Sequence, residues 1–325
     1  MRVSGFFARS WILLAALAAT HAAAIAQNYP TKLIRIISPV PAGGLSDIAL
    51  RPLVQELSKR LGQPVIIENR PGASGLVAGR ACAQAPPDGY TLCHLLNDTV
   101  INAPFLFKDV GYDAARDFAP ITNNFFITSG IIVTPELKVN TLQELIDLSK
   151  KRPEGINFGS PATTATMFME TVKQDTRANF VTIPYKSGGE IATAILTHAV
   201  DMIFGGIGTV VSHLQSGALK ALVVEGTARS PLLPDVPTLK EAGNPGLRVR
   251  AWYGFFAPAG TPTGIVDKLH DEIVQIYQDQ DFRQRTLINA GLEPALDTPD
   301  EFARFLDENR KRTAMLAQRA GVQPE

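Results

Sequence analysis

The sequence is poor in the features that usually announce catalysis, metal or nucleic acid. Its two cysteines, Cys82 and Cys93, are too few for a disulfide-rich framework and form no C-x-x-C pair. His94, His198, His213 and His270 are scattered without metal-ligand spacing, and no G-x-S-x-G elbow occurs. Gly206-x-Gly208 lacks the third glycine and distal acid of a dinucleotide fingerprint. The 31 basic residues balance the 31 acidic ones, so the chain has no electrostatic footprint for nucleic acid or an anionic membrane. Internal repeats, low-complexity tracts and a second hydrophobic span are also missing. These gaps weigh against an enzyme, a metalloprotein and a cofactor carrier: the expectation is no catalytic residue, no metal and no cofactor.

What is present begins with an export signal. Arg2 and Arg9 are followed by an apolar run from Trp11 to Ala19, and Ala24-Ile25-Ala26 offers a small-x-small cleavage site, so residues 1–26 read as a cleaved signal peptide. The apolar run is too short to span a bilayer, and no stop-transfer flank favours the rival reading of an uncleaved anchor. No cysteine sits at the cleavage site to carry a lipid. About 300 residues remain, enough for two compact lobes. In an oxidising compartment Cys82 and Cys93 can form one bond or remain two buried thiols, and spacing alone leaves both open.

Short apolar runs alternate with helical stretches, the pattern of an α/β protein with mainly parallel sheets. Strands are expected over Leu33 to Ser38, Val65 to Glu68, Thr91 to Leu95, Ile131 to Val133, Ile156 to Phe158, Phe180 to Ile183, Met202 to Phe204 and Ala221 to Val224. The best-marked helices run from Asp47 to Leu61, Thr141 to Lys151, Pro262 to Gln278 and Pro299 to Ala320. Thr141 with Glu144, and Thr298-Pro299-Asp300-Glu301, are readable helix starts. The helices bunched at the C-terminus imply that the chain leaves one lobe, builds a second and returns, with a cleft between lobes that closes by hinge motion.

Within this pattern, Leu33 to Ser38 feeds Pro39-Val40-Pro41-Ala42-Gly43-Gly44 into a helix start at Asp47. A strand turning on small residues into a helix offers unpaired N–H groups and the positive end of a helix dipole, which suits an anion. Gly43 and Gly44 leave no Cβ between a ligand and the backbone, although a tight turn without any ligand would use the same residues. Asp47 has two readings of equal weight: ordering water or pairing with a ligand amine, or capping the first turn. By the rule that open α/β sheets bind beyond the carboxyl ends of their strands, Asn97 and the pair Gly205-Gly206 also fall at the cleft. Lys186 has a reading as a positive charge at the cleft but reads more readily as a solvated surface lysine, and Trp252 and Tyr253 either line the cleft or, more readily, pack a hinge strand.

Taken together, Pro41-Ala42-Gly43-Gly44-x-x-Asp47, Glu68-Asn69-Arg70-Pro71-Gly72-Ala73, Pro87-Asp88-Gly89-Tyr90-Thr91-Leu92, Tyr112-Asp113 with Asp117-Phe118-Ala119-Pro120, Pro184-Tyr185-Lys186, Pro234-Asp235-Val236-Pro237-Thr238 and Ala257-Pro258-Ala259-Gly260-Thr261-Pro262 resemble, in order and spacing, the Bug family of periplasmic substrate-binding proteins of tripartite tricarboxylate transporters. The resemblance covers nearly the whole chain after residue 26. It implies a type II periplasmic-binding-protein fold, with one lobe from residues 27–122 and 252–325 and the other from 123–251. It further implies a monomer exported to the periplasm of a Gram-negative bacterium, which binds a small carboxylate and hands it to the membrane permease subunits. A sensor kinase is the alternative recipient, and an enzyme acting on a small carboxylate the less favoured class.

In the family a carboxylate is gripped between the Pro-Ala-Gly-Gly turn and a glycine-serine turn of the other lobe. Carried over, Ala42, Gly43, Gly44 and Asp47 make the first jaw. The second departs from the pattern: Gly159-Ser160-Pro161-Ala162-Thr163-Thr164-Ala165-Thr166 lacks the usual glycines, and Thr166 stands where a histidine is common. The hydroxyls of Ser160, Thr163, Thr164 and Thr166 are then the candidate donors, with plain helix capping as their other reading.

Overall fold

The computed structural model describes residues 29–160, 163–185, 188–244, 250–322 and 324. The expected signal peptide, residues 1–26, lies outside them, as do Pro161, Ala162 and Lys186.

Two sheets organise the chain. The first has the order β11-β4-β10-β3-β1-β2, built from β1 (Ile34–Ser38), β2 (Val65–Asn69), β3 (Thr91–Leu96), β4 (Phe118–Ile127), β10 (Trp252–Pro258) and β11 (Leu292–Pro294). The second has the order β7-β6-β8-β5-β9, from β5 (Ser129–Val133), β6 (Ile156–Ser160), β7 (Phe180–Pro184), β8 (Met202–Gly206) and β9 (Lys220–Val224). In strand direction both are mainly parallel, as expected. The reversed strands β10 and β11 in one and β5 in the other make them mixed in pairing.

The longer helices are α1 (Leu45–Leu61), α2 (Leu76–Ala83), α3 (Leu142–Lys151), α4 (Thr163–Thr176), α5 (Gly188–Leu196), α6 (Thr263–Gln278) and α7 (Pro299–Ala320). Side-chain alternation along β1 explains why helices cover both faces of the first sheet. Ile34 and Ile36 pack into a core with Leu50, Leu53 and Leu57 of α1 and Leu269 and Ile273 of α6. Ile37 faces the other way, into a core with Ala78 of α2 and Phe302 of α7. Each fully buried isoleucine contributes roughly 1.5–3 kcal/mol. The second lobe repeats the scheme, with Phe168 of α4 stacked on Phe204 of β8 at 4.1 Å between ring centroids. Both readable caps form: Thr141 accepts from the Glu144 N–H at 3.1 Å, and Thr298 with Glu301 makes a full capping box.

Strand β4 was not expected from the sequence. Pro120 and the polar run Thr122-Asn123-Asn124 argue against a strand locally, yet β10 and β11 pair with it from either side, and register shifts along β10 accommodate the irregular residues. The other surprise is Asn124, wholly buried beside His94, whose ring its amide meets at 3.2 Å. Cys82 at the end of α2 and Cys93 in β3 are disulfide-bonded, with Cα atoms 6.1 Å apart, which closes the question their spacing left open.

The chain leaves the first sheet after Ile127, enters the second at Ser129, and returns at Trp252. Thr128 ties the two at the crossing, its N–H donating to Gly291 O at 2.9 Å and its carbonyl accepting from Ile207 N–H at 2.9 Å. Close by, a Cβ on Gly208 would fall 1.9 Å from the Ala290 carbonyl oxygen, so the two backbones approach only because position 208 is glycine. Helix α7 also reaches the second lobe: the Gln174 amide donates to Arg319 O at 2.9 Å, and Arg319 pairs with Asp175.

Candidate functional site

The strand-turn-helix at the end of β1 folds as a small, internally wired unit. The Asp47 carboxylate, fully buried, accepts from the Gly43 N–H at 2.9 Å, from Arg51 Nε at 2.7 Å and from Asn69 Nδ2 at 3.0 Å, and Asn69 also donates to Val40 O at 2.9 Å. Gly43 takes a positive φ of 84° to present that N–H, and the Gly44 N–H closes the turn on Pro41 O at 3.2 Å. Burial pushes the Asp47 carboxyl up, but the bonds from Gly43, Asn69 and Arg51 outweigh it and hold the group below the usual carboxylate range. In this turn the Gly43 amide is taken by Asp47 and the Gly44 amide by Pro41 O, and of the two readings of Asp47 the geometry displays the one in which it stabilises the first helical turn. The open donors move one step on, to the first-turn amides of Leu45, Ser46 and Asp47, which helix geometry leaves without an i−4 carbonyl. Ala42 lies exposed in the same turn.

A second constellation joins the lobes. Asn97 and Asp98 follow β3, and Thr164 stands in the first turn of α4 in the other lobe. The Thr164 hydroxyl donates to Asp98 Oδ1 at 2.8 Å and accepts from Asn97 Nδ2 at 2.8 Å and from Asn102 Nδ2 at 2.7 Å. Asn97 Oδ1 in turn accepts from the Trp252 N–H at 3.3 Å. Thr164 is therefore a cross-lobe contact in addition to being a helix-start residue. Asp98 is 5% exposed, and burial raises its carboxyl above the ordinary range, with the Thr164 and Asn102 bonds offsetting only part of the shift.

Tyr253 of β10 connects the two constellations. Its ring lies near-parallel to the buried His94 imidazole at 5.2 Å, and its hydroxyl sits close to both the Asp98 carboxylate and the Ser46 hydroxyl at the opening of α1. Ser46 Oγ is buried and makes no well-formed hydrogen bond. Burial pulls the His94 imidazole down to about 3, so it stays neutral. Trp252 is buried edge-on against Phe302 at 5.5 Å, a packing residue as expected.

The remaining expected residues lie on the carboxyl edge of the second sheet. Ser160 ends β6, and its hydroxyl meets that of Thr166 at 2.8 Å. Thr163 begins α4. Gly205 and Gly206 end the neighbouring β8; a Cβ at Gly205 would stand 4.0 Å from the nearest side chain, whereas one at Gly206 would crowd Ile127 Cγ2 at 2.8 Å. Gly206 thus has a packing reason to be glycine and Gly205 has room. Sequence reasoning did not single out Asn69 or Asn102, for which only the Glu68-Asn69-Arg70 motif carried a hint, and it favoured packing over cleft lining for Tyr253. Two cavities lie apart from these jaws. One of about 460 Å³ opens beside Thr99, Lys108 and Tyr112. The other, of about 250 Å³, lies at the crossing beside Thr128, Arg229 and Gly291. Among the described residues no group of three or more His, Cys, Asp and Glu is placed to hold a metal, and no helix is long and apolar enough to cross a membrane.

Two α/β lobes, joined by paired crossings and meeting at the carboxyl edges of their sheets, define a two-lobe solute-binding receptor. Residues 49–322 match the family model described as the tripartite tricarboxylate transporter family receptor, and the chain belongs to that family. A UPF0065 protein of Bordetella bronchiseptica is 34% identical over 310 residues, covering 95% of this chain and 91% of its own. BugT of Bordetella pertussis is 31% identical over 304 residues, covering 91% and 92%. Among solved structures, an R. palustris protein with adipate superposes with a TM-score of 0.83 at 28% identity, covering 91% of this chain and 100% of its own. MatC from Rhodopseudomonas palustris with bound malate gives 0.77 at 28%, covering 89% and 100%.

Proposed function

We propose that this receptor captures a small carboxylate between the opening of α1 and the cross-lobe cluster around Thr164, works in the periplasm after export, and hands its solute to the membrane permease of a tripartite transporter without changing it. The observation that carries the reading is the set of first-turn amides at Leu45 to Asp47, oriented by the Asp47 wiring and lying at the same sheet edge as Asn97, which bonds Thr164 of the other lobe. Relatives with adipate and with malate support an acid as the solute.

The energies suffice without an arginine clamp. Micromolar capture needs about −8 kcal/mol. Three or four bonds to a charged oxygen at roughly 1.5–3 kcal/mol each, with about 0.3–1 from the helix dipole, cover it after association costs. The test is a thermal-shift screen of small carboxylates against neutral analogues, repeated on Leu45→Pro. Proline is tolerated at a first helical position and removes one donor, and Gly44 already holds the extended backbone (φ −67°, ψ 159°) that must precede it. Stabilisation of the native chain by acids, weakened in the variant, is expected; an unchanged response in the variant removes this helix opening from the site.

A further inference from the structure

Among the described residues Asp98 has no counter-charge, and its hydrogen bonds, from Asn97, Asn102 and Thr164, all fall on Oδ1. A carboxylate more than nine-tenths buried with only neutral donors is costly unless something else supplies the opposite charge. Close to it stands the Tyr253 hydroxyl, which also lies by the buried Ser46 Oγ at the start of the helix whose amides are proposed to meet the acid. Anion-seeking amides and a carboxylate that lacks a charged partner thus stand on either side of the Tyr253 hydroxyl. A solute that is only an acid would set its own charge against Asp98. One that carries an ammonium beside its carboxylate would satisfy both ends.

Resting on the carboxylate-capture reading, we infer that Asp98 is the specificity-determining residue of the site and selects acids that also bear an ammonium group. Asn102 and Thr164 hold Oδ1 fixed from two lobes, so Oδ2 is aimed before the solute arrives, and lobe closure and ammonium recognition share one carboxylate. Burial, which raises the Asp98 carboxyl, is the cost of waiting without a partner.

The experiment compares matched pairs by calorimetry at pH 7: aspartate against succinate and glutamate against glutarate, with adipate and malate alongside, on the native chain and on Asp98→Asn. Asparagine can keep its oxygen toward the three existing donors and put an amide where Oδ2 was. The native chain is expected to bind at least one ammonium-bearing acid ten-fold or more tighter than its partner, and the variant to lose or reverse that ratio. A native chain indifferent to the ammonium, or a ratio that survives in Asp98→Asn, overturns the assignment while leaving carboxylate capture standing. Binding of no acid of either kind overturns carboxylate capture itself. The native comparison needs no variant, so it stands even if Asp98→Asn folds poorly.

Discussion

The turn after β1 and the turn after β3 each bury a carboxylate at the same edge of the same sheet, and they do opposite things with it. Asp47 is matched on the spot by an amide, an asparagine and Arg51, whose own side chain is half in water at 51% exposure, and its proton affinity falls. Asp98 receives only neutral donors, all on one oxygen, and its proton affinity rises. The difference separates a carboxylate that completes the fold from one that leaves an account open at the site. Burial alone does not distinguish them; the charge of the partner does.

Breaking the compensated member is expected to have the largest effect. Asp47→Ala strands the Gly43 N–H and the Asn69 amide, while Arg51 returns to water, so the loss falls near about 2 kcal/mol. Because the folded state holds this acid below its ordinary value of 3.8, the contribution is complete above that value and disappears as pH falls through the lower folded one. Urea unfolding should therefore separate the native chain from the variant at pH 7 and bring them together in strong acid; an equal gap at both ends would refute the ionised role. Thr164→Val comes next, at roughly 1–2 kcal/mol, since it removes one donor from Asp98 and one acceptor shared by Asn97 and Asn102. Those bonds span the lobes, so solute affinity should fall with the unfolding midpoint; a midpoint that drops with affinity intact would make Thr164 a helix-start residue only.

The contrast between the two carboxylates was half legible in the sequence. The glycine turn, the helix starts at Thr141 and Thr298 and most strands follow from local rules, because apolar alternation and caps are properties of neighbours in sequence. Strand β4 was hidden since Pro120 and Asn123-Asn124 disfavour extension locally, and only pairing with β10 and β11, distant in sequence, overrides them. The sequence delivers Asn97-Asp98-Thr99 to the cleft at the end of a strand; that Asp98 is buried and bridged to Thr164 depends on a contact 66 residues away. The sequence puts the candidate first jaw at this turn, but it does not show that the Asp47 side chain occupies the Gly43 amide.

A third test sharpens the comparison by reversing its sign. Asp98 has a raised folded value, so whatever stability it lends is present below 3.8 and is lost as pH rises through the folded value. Asp98→Asn has no such titration and should melt higher than the native chain at pH 7 without solute, with the gap closing toward pH 3, the mirror image of Asp47→Ala. Thermal melts across that range decide it, and a variant that is less stable at pH 7 would mean the bonds to Oδ1 outweigh the burial cost.

The smallest expected effect isolates the space between the two carboxylates. Ser46 Oγ is buried, makes no well-formed bond and has the Tyr253 hydroxyl as its polar neighbour, so Ser46→Ala takes little from the fold and should shift stability by less than about 0.5 kcal/mol. If the hydroxyl waits for the solute as Asp98 does, the same substitution weakens acid binding while the melting curve of the empty protein stays in place. A change in affinity without a change in melting assigns the hydroxyl to the solute. A change in both would instead mean that Ser46 supports Tyr253, and would move the unmet polar demand at this edge onto Asp98 alone.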